Sequence, residues 1–266
     1  MAATGKPVTR IARHTRDSIY VRDRNLVEDL IGKVSFTDMI YLHLIGQPPT
    51  RAQSVLLDAV LVTLMEHGLT PSAIATRMIA MSSPEALQAA VAAGLLGVGS
   101  QFIGTMENTA LLLADLIAAP GGVQARARAV VAEHRRDHKP VPGFGHPLHR
   151  PDDPRSPKLI ALARDQGVPG RHIAALEALA AAVDDGYGRH ITINATGAVA
   201  AVLGEIAIPT EIMRGIAVIS RAAGLVGHIR EEREHPAARF IWELTEREVA
   251  YAGPSARPGP NDKEGD

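Results

Sequence analysis

Between Asp137 and Ser156 the chain reads DHKPVPGFGHPLHRPDDPRS, with five prolines, two glycines and three histidines, a composition no regular element accommodates. His146 can donate a hydrogen bond to a carbonyl oxygen or move a proton near neutral pH. Arg150 and Arg155 carry planar forks of donors that match phosphate or carboxylate. Gly143 and Gly145 would let a ligand come close to main-chain groups. The set suits an acidic, carbonyl-bearing substrate on a phosphorylated carrier. The alternative is that the prolines and glycines only shape a turn, with His146 a bystander. An irregular run this long inside a compact domain is functional or disordered, and its ring-rich content argues against disorder.

Other constellations are weaker. His228, Glu231, Glu232 and His235 share one helical face, which suits a metal or, more simply, a solvated charged surface. Gly97-Val98-Gly99 hints at a dinucleotide loop but follows no strand. His146 and His149 could form a metal pair, yet lack a third ligand, so no metal is expected.

These residues must be held by helices. Apolar spacing is helical over 36–46, 50–67, 71–81, 84–96, 104–119, 122–136, 157–166, 171–185, 197–204, 209–230 and 236–247, and sustained two-residue alternation is missing. Hydrophobic residues make up 46% of the 266, but aromatics only 3%, which fits close helix packing by Ala, Leu, Ile and Val. The fold class expected is all-α. A net charge of -1 offers no bulk attraction to nucleic acid or anionic membrane, and the absence of cysteine removes disulfides and thiolate chemistry. The N-terminus lacks an apolar stretch after its basic residues, and runs such as 109–119 are too short to span a bilayer, so a cytoplasmic setting is expected. The tail 253–266 lacks apolar anchors and is expected to be mobile.

The segment VPGFGHPLHRPDDPR resembles the signature of the citrate synthase family, in which a Gly-aromatic-Gly-His turn precedes the Arg of Asp-Pro-Arg by nine residues, here His146 to Arg155. IYVRDRNLVEDLIGKVSFTDMIYLHLIGQPPT (19–50) is similar to the N-terminal segment of bacterial members. AGLLGVGSQFIG (93–104) resembles the glycine-rich segment seen in the CoA-lyase part of ATP-citrate lyase, in the family's citryl-CoA lyase branch, INATGAVAAVLGEIAIP (193–209) the Asn-Val-Asp region, and SRAAGLVGHIREE (220–232) the penultimate helix.

The resemblance implies that His146 holds the carbonyl or hydroxyl of a dicarboxylic substrate while Arg155, Arg221 and, from a partner subunit, Arg239 hold carboxylates. Val141, Pro142, Gly143, Phe144 and Gly145 would face coenzyme A, and Arg150 a phosphate of it. The family's basic Asp falls at Thr196, its first histidine at Ile74 and its second at Ser100 or Gln101. A hydroxyl is a poor base at neutral pH, so Ser100, Gln101, Asn194 and Thr196 are left to polarise a carbonyl or hold water, with helix capping the plainer role. His228 would support the cleft. The implied architecture is a large helical domain, 1–103 and 206–252, with a smaller one, 104–205, inserted, assembled as a homo-oligomer. The implied activity is cleavage of a 3-hydroxy-acyl-CoA such as citryl-CoA to acetyl-CoA and oxaloacetate. Condensation in the synthase direction, or coenzyme A binding without turnover, are the other two readings.

Overall fold

The computed structural model describes residues 6–101 and 103–253, so the 253–266 tail lies, beyond its first residue, outside the described residues. Among the described residues the chain forms eleven α-helices: α1 (Phe36–Ile45), α2 (Arg51–Met65), α3 (Pro71–Ser82), α4 (Leu87–Leu96), α5 (Thr105–Ala118), α6 (Val123–Arg136), α7 (Arg155–Asp165), α8 (Arg171–Tyr187), α9 (Ala195–Glu205), α10 (Met213–Glu234) and α11 (Ala238–Glu248). Strands are confined to a small antiparallel meander at the start, β1 (Ala12–His14), β2 (Ile19–Val21) and β3 (Arg24–Asn25), with Arg13 opposite Tyr20 and its guanidinium over the ring. The mostly helical expectation therefore holds.

Local chemistry sets the helix ends. Ser35 with Asp38, and Thr50 with Gln53, form reciprocal capping boxes at α1 and α2. Pro71 opens α3 at a position where its missing N–H costs nothing. Gly46, left-handed at φ 88°, closes α1 just before Pro48-Pro49. No strand precedes Gly97, which ends α4 instead.

The centre is α9. Ala198 to Leu203 are all at most 1% exposed, because a helix of Ala, Val and Gly is thin enough for α2, α5, α7 and α8 to close around it. Its last residue, Glu205, is buried and accepts hydrogen bonds from the N–H groups of Gly170, His172 and Ile173. It thereby caps α8, which starts at glycine and has no side-chain cap of its own. A second cluster of Leu116, Val130, Val131, Val141, Leu179 and Val183 joins α5, α6 and α8 under the proline-rich loop. Helix α10 is long and apolar enough to cross a membrane by length and composition alone, but half of it is buried, packed on α2, α3 and α4.

Candidate active site

The proline-rich loop is fastened by its main chain to the start of α9. Gly145 N–H donates to Thr192 O, Asn194 N–H to Gly143 O, and the Asn194 side-chain amide to Gly145 O. Gly143 has φ +85°, and a Cβ there would lie 2.8 Å from Thr109 Oγ1 and 3.1 Å from Gly197 Cα. Only glycine serves at 143, because backbone meets backbone. Val141 is in the core and Gly143 is buried, whereas Pro142, Phe144 and Gly145 are partly exposed and Arg150 is exposed.

Asp153 is fully buried beneath this loop. It accepts hydrogen bonds from Ala195 N–H, Arg155 N–H and, bidentately, from Arg155 Nε and Nη2 at 2.9 and 2.8 Å. Burial alone would raise its carboxyl pKa, but the Arg155 hydrogen bonds and charge, with the Ala195 N–H, hold it below the ordinary carboxylate value. Asp-Pro-Arg is thus an internal clamp, and two of the Arg155 nitrogens are engaged before any substrate arrives.

Three imidazoles converge at the mouth of the loop. His146 stacks on His149 with ring centroids 4.3 Å apart, and His67, from the turn between α2 and α3, lies 5.7 Å from the first and 5.8 Å from the second. His67 supplies the third ring that sequence spacing did not offer, while Ile74, placed at a family histidine, sits on α3. The signal for His67 was slight: a histidine just before a Thr-Pro helix start.

A ring nitrogen of each histidine lies within 4.8 Å of the others, a spacing that brings a cation to mind. The main chain argues otherwise. His146 Nδ1 accepts hydrogen bonds from Leu148 N–H and His149 N–H at 3.1 and 3.0 Å, so its proton sits on Nε2 and no lone pair is free there for a metal. The ring is a fixed donor, suited to a carbonyl, hydroxyl or carboxylate oxygen. Burial lowers its pKa, the positive fields of His149, Arg155 and His67 add to this, and Asp153 opposes. The ring therefore stays uncharged at neutral pH.

Asn194 caps α9 and organises the hydroxyls beside the loop. Its Oδ1 accepts from Thr196 Oγ1 at 2.7 Å and from Gly197 N–H. Thr196 thus gives its proton to Asn194, and the 2.9 Å contact between Thr105 Oγ1 and Thr196 Oγ1 has Thr105 as donor. Thr196 is held as a link in a hydrogen-bonded chain, not as a base.

On the other side, Arg221 of α10 is 7% exposed, and its Nη1 has no hydrogen-bond partner among the described residues, the nearest carboxylate being Glu66 at 3.8 Å. A buried guanidinium with an unused donor suits an anionic group. His228 and Glu232 correct the expectation of a solvated face. Both are buried, because Arg77 of α3 reaches across, its Nε 3.1 Å from His228 Nδ1, its Nη1 2.8 Å from Glu232, and its Nη2 on Glu231. Arg77 was missed because nothing local marks it.

The remaining predicted residues lie elsewhere. Ser100 and Gln101 are exposed in the turn before α5. Arg239, on exposed α11, pairs with Glu243 at 2.6 Å and lies over the Trp242 ring.

The citrate synthase, C-terminal domain family profile matches residues 2–242. A putative citrate synthase 2 of Mycobacterium tuberculosis is 30% identical over 219 residues, 80% of this chain; the chain spans 54% of that relative's length. The solved citryl-CoA lyase from Hydrogenobacter thermophilus superposes with a TM-score of 0.85 and 33% identity, covering 95% of this chain and 97% of that one. The ATP citrate lyase of Methanosaeta concilii, solved with (3S)-citryl-CoA, shares the fold at a TM-score of 0.75 and 18% identity, covering 96% of this chain and 43% of that one.

Proposed function

Because the chain belongs to the citrate synthase family, we infer that it is a citryl-CoA lyase-type enzyme, cleaving a 3-hydroxy-acyl-CoA such as citryl-CoA into acetyl-CoA and oxaloacetate. The observation that carries this is the imidazole mouth, where the proton on His146 Nε2 is fixed by two main-chain donors. The 33% identity to a citryl-CoA lyase over nearly the whole of this chain supports it.

Cleavage requires that the C3 hydroxyl lose its proton as the C2–C3 bond breaks, leaving a ketone and a thioester enolate that is then protonated at carbon. His146 Nε2–H would donate to the oxygen that becomes the ketone. His67 and His149, the two rings beside it, are the groups in reach to accept the hydroxyl proton. Arg221 would bind a substrate carboxylate with its unused donor, and Arg155, steadied by Asp153, a second. The exposed Arg150 and the partly exposed Pro142, Phe144 and Gly145 would meet coenzyme A. Arg239 would act in a neighbouring subunit of a cytoplasmic homo-oligomer.

Thr196 occupies the position of the family's Asp, and its hydroxyl proton is already committed to Asn194. No carboxylate stands here to move a proton at the methyl carbon in either direction, so in cleavage the enolate carbon would take its proton from solvent or from an imidazole that received the hydroxyl proton. Cleavage is favoured over condensation by the near full-length likeness to a citryl-CoA lyase. That the same substitution leaves only coenzyme A binding is the second reading.

The purified full chain, given (3S)-citryl-CoA, should release acetyl-CoA and oxaloacetate, and His146→Ala should lower the rate by about 10²-fold or more. Tight coenzyme A binding by calorimetry with no release at high enzyme concentration would establish the second reading instead. Deuterium in the methyl of the acetyl-CoA released in D2O reports that last protonation, and coenzyme A release from acetyl-CoA and oxaloacetate reports condensation directly.

A further inference from the structure

His67 sits on a turn whose shape is governed by the carboxylate preceding it. Glu66 ends α2 with extended dihedrals, φ -140° and ψ 145°, and folds its side chain forward so that the same oxygen, Oε1, accepts from His67 N–H at 2.8 Å and Gly68 N–H at 2.6 Å. The other oxygen, Oε2, lies 3.0 Å from His228 Nε2, off the line of the ring N–H, so the attraction there is electrostatic more than directional. His228 has its proton on Nε2 because its Nδ1 accepts from Arg77 Nε. Arg77 is fixed in turn by Glu231 and Glu232, and Glu232 accepts from Ala237 N–H and Ala238 N–H at the start of α11.

The backbone permits this contact only because α10 is notched. A Cβ on Gly224 would lie 2.2 Å from Met65 O and 3.4 Å from Glu66 Oε2, so glycine lets the helix press directly on the turn. Burial would raise the Glu66 pKa, but the His67 N–H, the adjacent His228 ring N–H dipole and the Gly68 N–H together draw it below the ordinary carboxylate value. It is therefore an anion throughout the neutral range.

We propose that Glu66 is a positioning residue for His67, holding that imidazole against His146 and His149 through its joint grip on the turn and on the His228–Arg77 pair. The proposal rests on the histidine mouth being the site of reaction. Glu66 touches no reacting atom; it sets where the His67 ring stands, and His228 sets where Glu66 stands.

The substitution Glu66→Gln isolates one link. A glutamine can still accept from the two turn N–H groups, but its amide N–H would face the N–H of His228. In the full chain turning over citryl-CoA, Glu66→Gln should lower kcat by about tenfold, since a misplacement of a reacting group by about 1 Å can cost up to about 10²-fold. In a His67→Ala background the same substitution should cost less than about twofold, because residues acting through one another are not additive. Effects that add fully would overturn the proposal. A readout free of catalysis accompanies it: the His67 ring resonance in a histidine-labelled sample should shift and broaden in Glu66→Gln and His228→Ala, while that of His134, on α6, stays in place. An unmoved His67 resonance would also overturn it. If the wild-type chain does not cleave citryl-CoA, the functional reading fails, and the resonance of His67 still decides the positioning.

Discussion

The two walls of the site are built by different means. On the loop wall, main chain meets main chain: Gly143, Gly145, Thr192 and Asn194 exchange N–H and C=O groups, and Asp153 gathers what remains. On the α10 wall, side chains meet across great sequence separations, with Arg77 holding His228 and Glu232 151 and 155 positions away. The first kind of wall is specified by residue types that only certain backbones tolerate. The second is specified by charges that must find partners once removed from water.

The largest contrast should come from Arg77→Met. It leaves Glu232 buried without its cation, which should lower unfolding stability by about 3–5 kcal/mol in a denaturant titration. A loss under about 1 kcal/mol would mean that the carboxylates find water or other donors, and that this wall depends little on its ion pairs.

Gly143→Ala probes the loop wall. A left-handed φ with a Cβ against Gly197 and Thr109 should cost about 1–3 kcal/mol, and turnover should fall further than stability because the loop shifts away from α9. Equal stability with unchanged turnover would show that the close backbone approach is dispensable.

How much of this was legible in advance follows the same division. The helices were readable because Ser35, Thr50, Pro71 and Gly46 punctuate apolar spacing with caps of known geometry. α10 runs four residues past the predicted 230, where Glu231 and Glu232 bind Arg77. His146 and Arg155 stood out because Gly, Pro and Asp-Pro-Arg mark the loop. Asp153 did not, since the motif draws the eye to its arginine. His67 left only its place before a Thr-Pro helix start, Glu66 and Arg77 left no local trace, and the charges at 228–232 looked solvated because the cation that buries them lies on another helix.

Asn194→Ala should be milder, about 1 kcal/mol for a lost N-cap, read as a shift in the denaturation midpoint. It also frees the Thr196 proton and the Gly145 carbonyl, so a change in turnover larger than the change in stability is expected.

The smallest effect is pH. Burial lowers the pKa of His146 and of His172 below the ordinary 6.5. The unfolded chain therefore takes up protons near 6.5 that the folded chain refuses, so these two residues should make stability fall as pH drops below 6.5 toward their folded values. His172 titrates on neither wall, and a His146→Ala variant should keep its share of that slope. His190, held above 6.5 by its hydrogen bonds to Asp184 and Asp152, pulls the other way, so the test is made in a His190→Ala background, where a slope of the opposite sign would mean that these two rings gain protons on folding.

The contact between the backbones of Gly143 and Gly197 has a mechanical consequence. A flap hinged at the loop's two glycines would have to tear the main-chain bonds to Thr192 and Asn194 before it swung. The segment 143–145 therefore travels as one rigid jaw with α9, and any widening of the mouth has to come from the opposite side, where α10 leans on the turn between α2 and α3.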